Sequence, residues 1–185
     1  NIFGRVYLIV IPLHLIYICG QFTIAGAYSK TNPIEMIKNQ IPGYLTAVGT
    51  QSSAATIPVN VECAEKNGVS KQIREFVVPL CATIHLLESI ISVISFTVAV
   101  LMMNQMDYSI GVILSYLLML VIAMVGIPSD GWLASLMIAL YITQDSFGTA
   151  ANVSGYNAIA IVIDQVNKKW DILSNIYFKI SHFLV

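Results

Sequence analysis

The order of apolar and polar stretches along this chain predicts how it meets a membrane. An apolar stretch from about Val6 to Ala27 is long enough to cross a bilayer as a helix, which takes roughly 20 residues. Two later apolar stretches have the same character, and the first of them is interrupted by the polar run "TIHLLES" at 83–89. We therefore predict three spanning helices, over 5–29, 74–104 and 139–168.

Two other stretches are predicted to enter the membrane and return to the same side. The segment "TQSSAATIPV" at 50–59 is strongly polar and lies between two apolar arms. Irregular backbone at membrane depth is tolerated only where it is buried in protein or lines a water-filled cavity. We predict a re-entrant helical hairpin over 34–65 with this segment at its tip, and an ordinary cytoplasmic loop is the alternative. A second, shortened hairpin is predicted over 109–138, because "VGIPSDG" at 125–131 is typical of a turn.

The basic residues set the orientation of these elements. No Lys or Arg occurs between Arg74 and Lys168. Since cytoplasmic loops carry an excess of Lys and Arg, we place residues 30–38, 66–74 and the tail 169–185 on the cytoplasmic side. The two halves of the chain then have opposite orientations. This is the inverted-repeat arrangement of secondary transporters, in which interrupted helices meet near the bilayer midplane.

Composition supports a membrane protein and excludes several other classes. The chain has 185 residues, of which 57% are hydrophobic and 10% are charged, whereas soluble domains carry about 25% charged residues. A net charge of −1 argues against nucleic acid as a partner. Its three cysteines have no disulfide or metal-site spacing. With no nucleophile–base pair, metal-ligand set or phosphate loop, we expect neither an enzyme nor a cofactor. Because the chain opens without Met at Asn1, we expect a fragment of something larger.

Four segments resemble the dicarboxylate/amino acid:cation symporter family, which includes glutamate and aspartate transporters. They are the hairpin tip at 50–59, "CAEKNGVSKQIREFVVPLCATI" at 63–84, "VGIPSDG" at 125–131 and "DSFGTAANVSG" at 145–155. The resemblance implies an all-α integral membrane transport core, with about three spanning helices and two re-entrant helical hairpins. It also implies a multi-pass protein of the plasma membrane, and a homotrimer formed through a scaffold that this chain lacks.

The same resemblance implies a substrate site built from three segments. In the family, an Asp of the last helix binds the amino group of the substrate, and Asp145 matches it. Thr149 and Asn152 follow at i+4 and i+7, on the same helix face as Asp145. Ser52 and Ser53 would hold the substrate carboxylate at a helix N-terminus. Ile127 belongs to the matching tip of the second hairpin.

Departures from the family pattern change the expected substrate and coupling ion. Gly148 stands where the family has the Arg that pairs with an acidic substrate, so we expect a neutral amino acid. Tyr156 and Leu87 stand where it has sodium-binding Asp residues. The candidates for cation coupling are His85, Glu88 and Ser89. His85 and Glu88 lie three residues apart and could relay a proton, which leaves H+ and Na+ both open as the coupling ion.

We therefore expect a secondary active transporter of small, neutral amino acids, working by alternating access between two hairpin gates. Two alternatives are a sodium-coupled glutamate/aspartate symporter and a degenerate membrane protein that does not transport. The broken sodium signature and the shortened second hairpin favour the last of these.

Overall fold

Helices make up the regular structure in the described part of this protein. The structure is a computed structural model, and it describes residues 2–85, 87–103, 105, 109–115 and 132–183. Within these ranges no strand occurs, which confirms the all-α prediction for this part of the chain. The long helices are α1 (Ile2–Ser29), α2 (Pro33–Thr50), α3 (Ser53–Lys66), α4 (Lys71–Ile84), α5 (Leu87–Met103) and α6 (Trp132–Phe183).

Helix α1 buries one stripe of its surface and exposes an apolar one. One stripe is buried against the other helices and consists of Val10, His14, Ile18, Phe22 and Ala25. The other faces outward with Leu8, Ile9, Leu15, Ile16 and Ile24. Among the described helices, α1 alone is long and apolar enough to cross a membrane, with 23 residues from Tyr7 to Ser29 and a mean hydropathy of 1.9. It agrees with the predicted span over 5–29.

Helices α2 and α3 form an antiparallel helical hairpin. The side chain of Asn32 caps α2 by accepting a hydrogen bond from the Ile34 N–H, and Pro33 takes the first helical position, where its missing N–H costs nothing. The turn consists of Gln51, in the left-handed conformation at φ 51°, and Ser52, whose side chain caps α3. These bounds match the predicted hairpin over 34–65, while its re-entry into a bilayer stays a prediction.

The predicted span over 74–104 is divided into two helices. Helix α4 ends at Ile84, and the backbone of His85 is extended at φ −94° and ψ 97°. The resulting helices have 14 and 17 residues, each shorter than the roughly 20 residues that a spanning helix needs. The interruption falls within the polar run at 83–89.

Helix α6 is the central helix and extends past both bounds predicted for it. It contacts all five other long helices. No proline interrupts its 52 residues, so it is continuous from Trp132 to Phe183 rather than limited to 139–168. Residues 132–138, assigned above to the second hairpin, therefore belong to α6. Residues 116–131 of that predicted hairpin lie outside the described residues.

One end of the helix bundle holds the basic side chains, and we call it the basic end. Here Asp164 of α6 accepts a hydrogen bond of 3.0 Å from the Ser70 N–H and pairs with Lys168. Arg74 pairs with Glu65 at 2.7 Å. The basic side chains described at this end are Lys30, Lys38, Lys66, Lys71, Arg74, Lys168 and Lys169. The structure thus brings together the three basic stretches that the charge pattern placed on one side.

Candidate functional site

The hairpin tip, residues Gln51 to Ser53, lies against α6 and meets it through two side-chain hydrogen bonds. The Gln51 Nε2 donates to the Ser146 Oγ across a sequence separation of 95 residues. The Tyr156 hydroxyl donates to the Ser53 Oγ at 3.0 Å across 103 residues. The tip therefore lies beside the stretch of α6 to which the sequence assigned the substrate.

Both predicted serine ligands have their side-chain oxygens engaged in the structure. The Ser52 Oγ accepts from the Ala55 N–H at 3.2 Å, which caps α3. The Ser53 Oγ accepts from Tyr156. Helix geometry still leaves the N–H groups of Ser53 and Ala54 without an intrahelical acceptor. Because both hydroxyls accept in these bonds and keep their own protons, the tip can offer backbone N–H groups and serine O–H groups to a carboxylate.

The predicted ligands on α6 differ in how far they are buried. Asp145 is half-buried, whereas Thr149 and Asn152 are only 7% and 4% exposed. Their spacing of four and three residues places them along one face, with Tyr156 the next position on it. The face therefore leads from a carboxylate near the surface to neutral polar groups in the interior.

His85 lies on the far side of Tyr156 from the hairpin tip. Its ring packs edge-on against the Tyr156 ring, with centroids 5.5 Å apart. Its Nε2 is 3.1 Å from the Tyr17 hydroxyl of α1, and the Gln21 Nε2 donates to that hydroxyl at 2.7 Å. Three segments thus converge here: α1, the break between α4 and α5, and α6.

Gly155 makes this convergence possible. A Cβ at that position would lie 2.8 Å from the His85 Nε2 and 3.0 Å from the Gln21 Oε1. Contacts this short force a neighbouring atom to move. The absence of a side chain at Gly155 therefore lets the imidazole and the amide approach the backbone of α6.

The other predicted cation-coupling residues are only partly located by the structure. Glu88 and Ser89 lie in the first turn of α5, and their side chains are outside the described part of the chain. The pairing of His85 with Glu88 therefore stays a prediction. Ile127 also lies outside the described residues.

A ladder of buried amides joins the hairpin to α6 between the tip and the basic end. The Asn60 Nδ2 donates to the Val153 carbonyl at 2.9 Å, and the Gln40 Nε2 donates to the Asn60 Oδ1 at 2.9 Å. The Asn157 Nδ2 donates to the Gln40 Oε1. Gly43 fits beside the ladder, since a Cβ there would meet the Gln40 amide at 2.7 Å. Because these groups satisfy each other in the interior, the ladder fixes the register of the hairpin on α6.

Sequence reasoning missed four residues that the structure adds to the site: Tyr17, Gln21, Gln51 and Ser146. A signal for the first two was present, because His14, Tyr17 and Gln21 form a polar stripe at i, i+3 and i+7 within an apolar helix. Gln51 lies in the quoted tip segment, but nothing local indicates that its side chain reaches Ser146. That contact depends on tertiary packing.

Comparisons with known proteins agree with the family resemblance drawn from the sequence. The model of the sodium:dicarboxylate symporter family matches residues 2–130. Excitatory amino acid transporter 3 of Oryctolagus cuniculus is 30% identical over 161 residues, with 76% of this chain covered. Excitatory amino acid transporter 1 of Rattus norvegicus is 27% identical over 161 residues. An excitatory amino acid transporter of Caenorhabditis elegans is 29% identical over 114 residues, with 60% of this chain covered.

These relatives are much longer than the chain described here. The alignment covers 30% of the rabbit protein, 29% of the rat protein and 23% of the nematode protein. The family match at 2–130 includes the hairpin tip and His85 and ends before α6 begins.

Proposed function

The chain belongs to the sodium:dicarboxylate symporter family, and on this premise we propose that it forms the substrate-binding core of a secondary transporter for small neutral amino acids. Membership makes it part of a multi-pass protein of the plasma membrane. The complete protein would work by alternating access, with the α2–α3 hairpin as one gate. Its assembly as a trimer through further segments is part of the same proposal.

The observation that carries this proposal is the seating of the hairpin tip on α6. Two hydrogen bonds, from Gln51 to Ser146 and from Tyr156 to Ser53, hold the tip next to Asp145. Asp145, whose carboxylate suits an ammonium group, directly precedes Ser146, and the N–H groups at the start of α3 suit a carboxylate. An amino acid carries an ammonium group and a carboxylate group on the same α-carbon.

The distribution of charge supports a neutral side chain on the substrate. Lys168 lies about 33 Å along α6 from Ser146, at 1.5 Å per residue, and the other described basic side chains are also at the basic end. Gly148, one turn after Asp145, supplies no cation. An acidic side chain bound here would place a second negative charge near Asp145 without a described partner, which is costly in a poorly solvated site.

A second candidate function is sodium-coupled transport of glutamate or aspartate. The relatives favour it, since the proteins reported above are excitatory amino acid transporters and the family model is that of sodium:dicarboxylate symporters. In this case, positive charges outside the described residues would balance the negative charge of the substrate side chain. The two candidates differ in substrate and in driving ion, so one set of experiments separates them.

For the coupling ion, our proposal places a proton at His85, with Glu88 and Ser89 as its neighbours in the chain. His85 is the one of the three whose side chain is described, and it contacts both α1 and α6. A charge change on its ring would act on Tyr17 and on Tyr156. Through Tyr156 it would reach Ser53 at the hairpin tip.

The test uses the complete protein reconstituted in liposomes. Uptake of labelled serine, alanine, cystine and aspartate is followed under an imposed proton gradient and, separately, an imposed sodium gradient. We expect proton-driven uptake of a neutral amino acid. We also expect the Asp145→Asn variant to lose at least tenfold in kcat/KM, because a charge-assisted hydrogen bond contributes about 1.5–3 kcal/mol. Glu75→Gln, on the exposed surface of α4, is the matched control and should leave uptake unchanged.

Each result decides between the candidates. Sodium-driven aspartate uptake would establish the second candidate and refute the neutral substrate. Equal uptake by wild type and Asp145→Asn would remove Asp145 from the site. Absence of uptake under both gradients would favour a membrane protein that does not transport.

A further inference from the structure

A cavity lies between α1 and α6 at the surface of the helix bundle. It has a volume of about 230 Å³ and is lined by Gln21, Ile24, Ala158, Ile159, Val162 and Ile163. Its opening lies beside Ile24 and Ile163, which are 58% and 38% exposed, whereas Ala158 is buried. All of the lining residues except Gln21 are apolar, and apolar cavities do not hold ordered water. The cavity therefore suits an apolar occupant.

The side of α6 that lines this cavity continues to the basic end. It carries, in order, Ile159, Val162, Val166 and Lys169. Their spacing of three, four and three residues places them on one helix face. Lys169 is seven residues beyond Val162, about 10 Å along the helix axis. On α1, Tyr28 follows Ile24 by four residues and is one turn nearer the same end.

A cation and an aromatic ring meet where this face reaches the basic end. The Lys169 Nζ lies 5.7 Å from the centroid of the Tyr28 ring. The neighbouring Lys168 is paired with Asp164, whereas no carboxylate among the described side chains pairs with Lys169. Trp170 follows and is 68% exposed. Since Tyr and Trp concentrate where the hydrocarbon of a membrane meets its headgroups, the Lys169 ammonium lies at the level of the headgroups.

We propose that the cavity and Lys169 together bind one anionic phospholipid of the cytoplasmic leaflet. Its acyl chain lies between α1 and α6, and its phosphate lies at the Lys169 ammonium. This inference goes beyond the proposed function and holds whichever amino acid is transported. It requires that the chain lies in a membrane, which follows from its family.

The size and the lining of the cavity favour an acyl chain. A volume of about 230 Å³ is below the roughly 300–1,000 Å³ of sites for drug-sized ligands, so the cavity suits a narrow and flexible chain. An acyl chain forms no hydrogen bonds, in agreement with the apolar lining. The separation of about 10 Å between Val162 and Lys169 is within the roughly 15 Å that one leaflet contributes to the hydrocarbon core.

The charge at Lys169 favours an anionic headgroup at the end of that chain. The cytoplasmic leaflet carries the anionic lipids, and the pattern of Lys and Arg places the basic end on that side. Basic pockets between membrane helices on the cytoplasmic side bind such headgroups. A neutral apolar molecule would fill the cavity and leave the ammonium without an anion.

A further helix of the complete protein is the competing occupant, because the alignment covers only 30% of the rabbit relative. Such a helix would place an apolar side chain in the cavity and would need an Asp or Glu at the level of Lys169. The two occupants differ in exchange, since a bound lipid is replaced by added lipid and a covalently connected helix is not.

The first test measures lipid selectivity on the complete protein in detergent. The protein is titrated with phosphatidylserine or phosphatidylcholine of identical acyl chains, and native mass spectrometry gives the Kd of the first lipid bound per protomer. We expect phosphatidylserine to bind about fivefold more tightly, the effect of one Lys near an anionic headgroup. Lys169→Gln should bring this ratio close to one, because the ammonium is lost. Lys71→Gln, which changes a lysine of α4 that is 74% exposed, should leave the ratio as in wild type.

The second test locates the acyl chain by photocrosslinking. A phosphatidylserine that carries a diazirine in its acyl chain is irradiated with the complete protein, and the labelled peptides are identified by mass spectrometry. We expect label within residues 21–28 of α1 and 158–166 of α6. Ile163→Trp fills the opening of the cavity and should remove most of this label. Ile16→Trp, on the outward stripe of α1, is the matched control and should retain it.

The outcomes are decisive in both directions. A wild type without preference for phosphatidylserine, or equal ratios in Lys169→Gln and Lys71→Gln, would show that Lys169 does not bind the headgroup and would overturn the inference. Absence of label from both segments would show that protein covers the cavity and would overturn it as well. Should Ile163→Trp fail to fold, the wild-type label and the Lys169→Gln ratio decide. Because none of these measurements involves uptake, failure of the proposed function leaves the inference intact.

Discussion

The hairpin tip and the basic end are attached to the same helix, α6, by very different kinds of contact. At the tip, each of two neutral hydrogen bonds joins one side chain to another, and Gln51 is exposed to solvent. At the basic end, the carboxylate of Asp164 is 1% exposed, accepts a backbone N–H and pairs with Lys168. Charge-assisted hydrogen bonds are roughly twice as strong as neutral ones.

Because the contacts differ in strength, we infer separate roles for the basic end and the hairpin tip. The basic end fixes the start of α4 to α6, and the amide ladder fixes the register of the hairpin. The tip is held by the weaker kind of contact, which agrees with the gate role proposed for the hairpin. We therefore expect changes at the basic end to act on stability, and changes at the tip to act on opening and transport.

The largest effect on stability is expected for Asp164→Asn. The substitution keeps the shape of the side chain and removes the charge that Lys168 and the Ser70 N–H bind. It should lower the free energy of unfolding by about 2 kcal/mol, seen as a lower melting temperature of the complete protein in detergent. The KM for substrate should change little, because the site lies about 27 Å away along α6.

Glu75→Gln serves as the control for this first change. Glu75 and Lys71 are 3.9 Å apart, with side chains 54% and 74% exposed, so their pairing should contribute less than about 0.5 kcal/mol. Equal melting temperatures for Asp164→Asn and Glu75→Gln would contradict the role given to the basic end.

An intermediate effect is expected for Gly155→Ala, between the two ends. The added methyl group would lie 2.8 Å from the His85 Nε2 and displace it from Tyr17. Overpacking typically costs about 1–3 kcal/mol, and the gain in helix propensity offsets up to about 1 kcal/mol. We expect a net loss of about 1 kcal/mol, together with weaker coupling of uptake to the proton gradient.

Gly20→Ala is the control for Gly155→Ala, because it adds the same methyl group to a helix where no neighbouring residue crowds it. No atom lies within 4 Å of a Cβ built at Gly20, so only the helix-propensity gain should remain. If the melting temperatures of the two alanine variants move by the same amount in the same direction, Gly155 is not crowded by His85.

The smallest effect on the stability of the whole protein is expected for Tyr156→Phe, because its effect is confined to opening of the tip. This change removes the bond to Ser53 and leaves the ring against His85. A neutral hydrogen bond contributes about 1 kcal/mol, so the tip should open about fivefold more often. Hydrogen–deuterium exchange of residues 50–56 measures this opening. Tyr44→Phe is the control, since the described contacts give the Tyr44 hydroxyl no hydrogen bond; similar exchange in both variants would show that Tyr156 does not hold the tip.

Local sequence signals predicted much of the fold. The polar segment around Gln51 and the basic stretches on either side of the hairpin predicted bounds of 34–65, within one residue of the observed 33–66. The break at His85 falls where polar residues interrupt an apolar run. The bounds of α6 were less accurate, because continuity of a helix depends on packing as well as on composition. The second hairpin and the side chains of Ile127, Glu88 and Ser89 lie outside the described residues, so those assignments stay predictions.

The candidate site was predicted in its parts but not in its contacts. Asp145, Thr149 and Asn152 could be placed on one helix face because helical spacing is a local property. Ser52 and Ser53 were assigned to the substrate carboxylate at a helix N-terminus, which stays a prediction, whereas the bonds of their side chains to the Ala55 N–H and to Tyr156 were not foreseen. The pairing of His85 with Glu88 stays a prediction, and the contacts described for His85, with Tyr17 and Tyr156, were not foreseen.

The sequence by itself determined the family, the helical class, the hairpin and the helix face that carries Asp145, because these follow from composition, charge pattern and spacing within short segments. Only the tertiary structure decided that Gln51 meets Ser146, that Tyr156 lies between Ser53 and His85, and that Asp164 holds the start of α4. Each of those contacts joins residues about 70 to 100 positions apart. Their partners are chosen by the packing of the helices around α6, which no local pattern specifies.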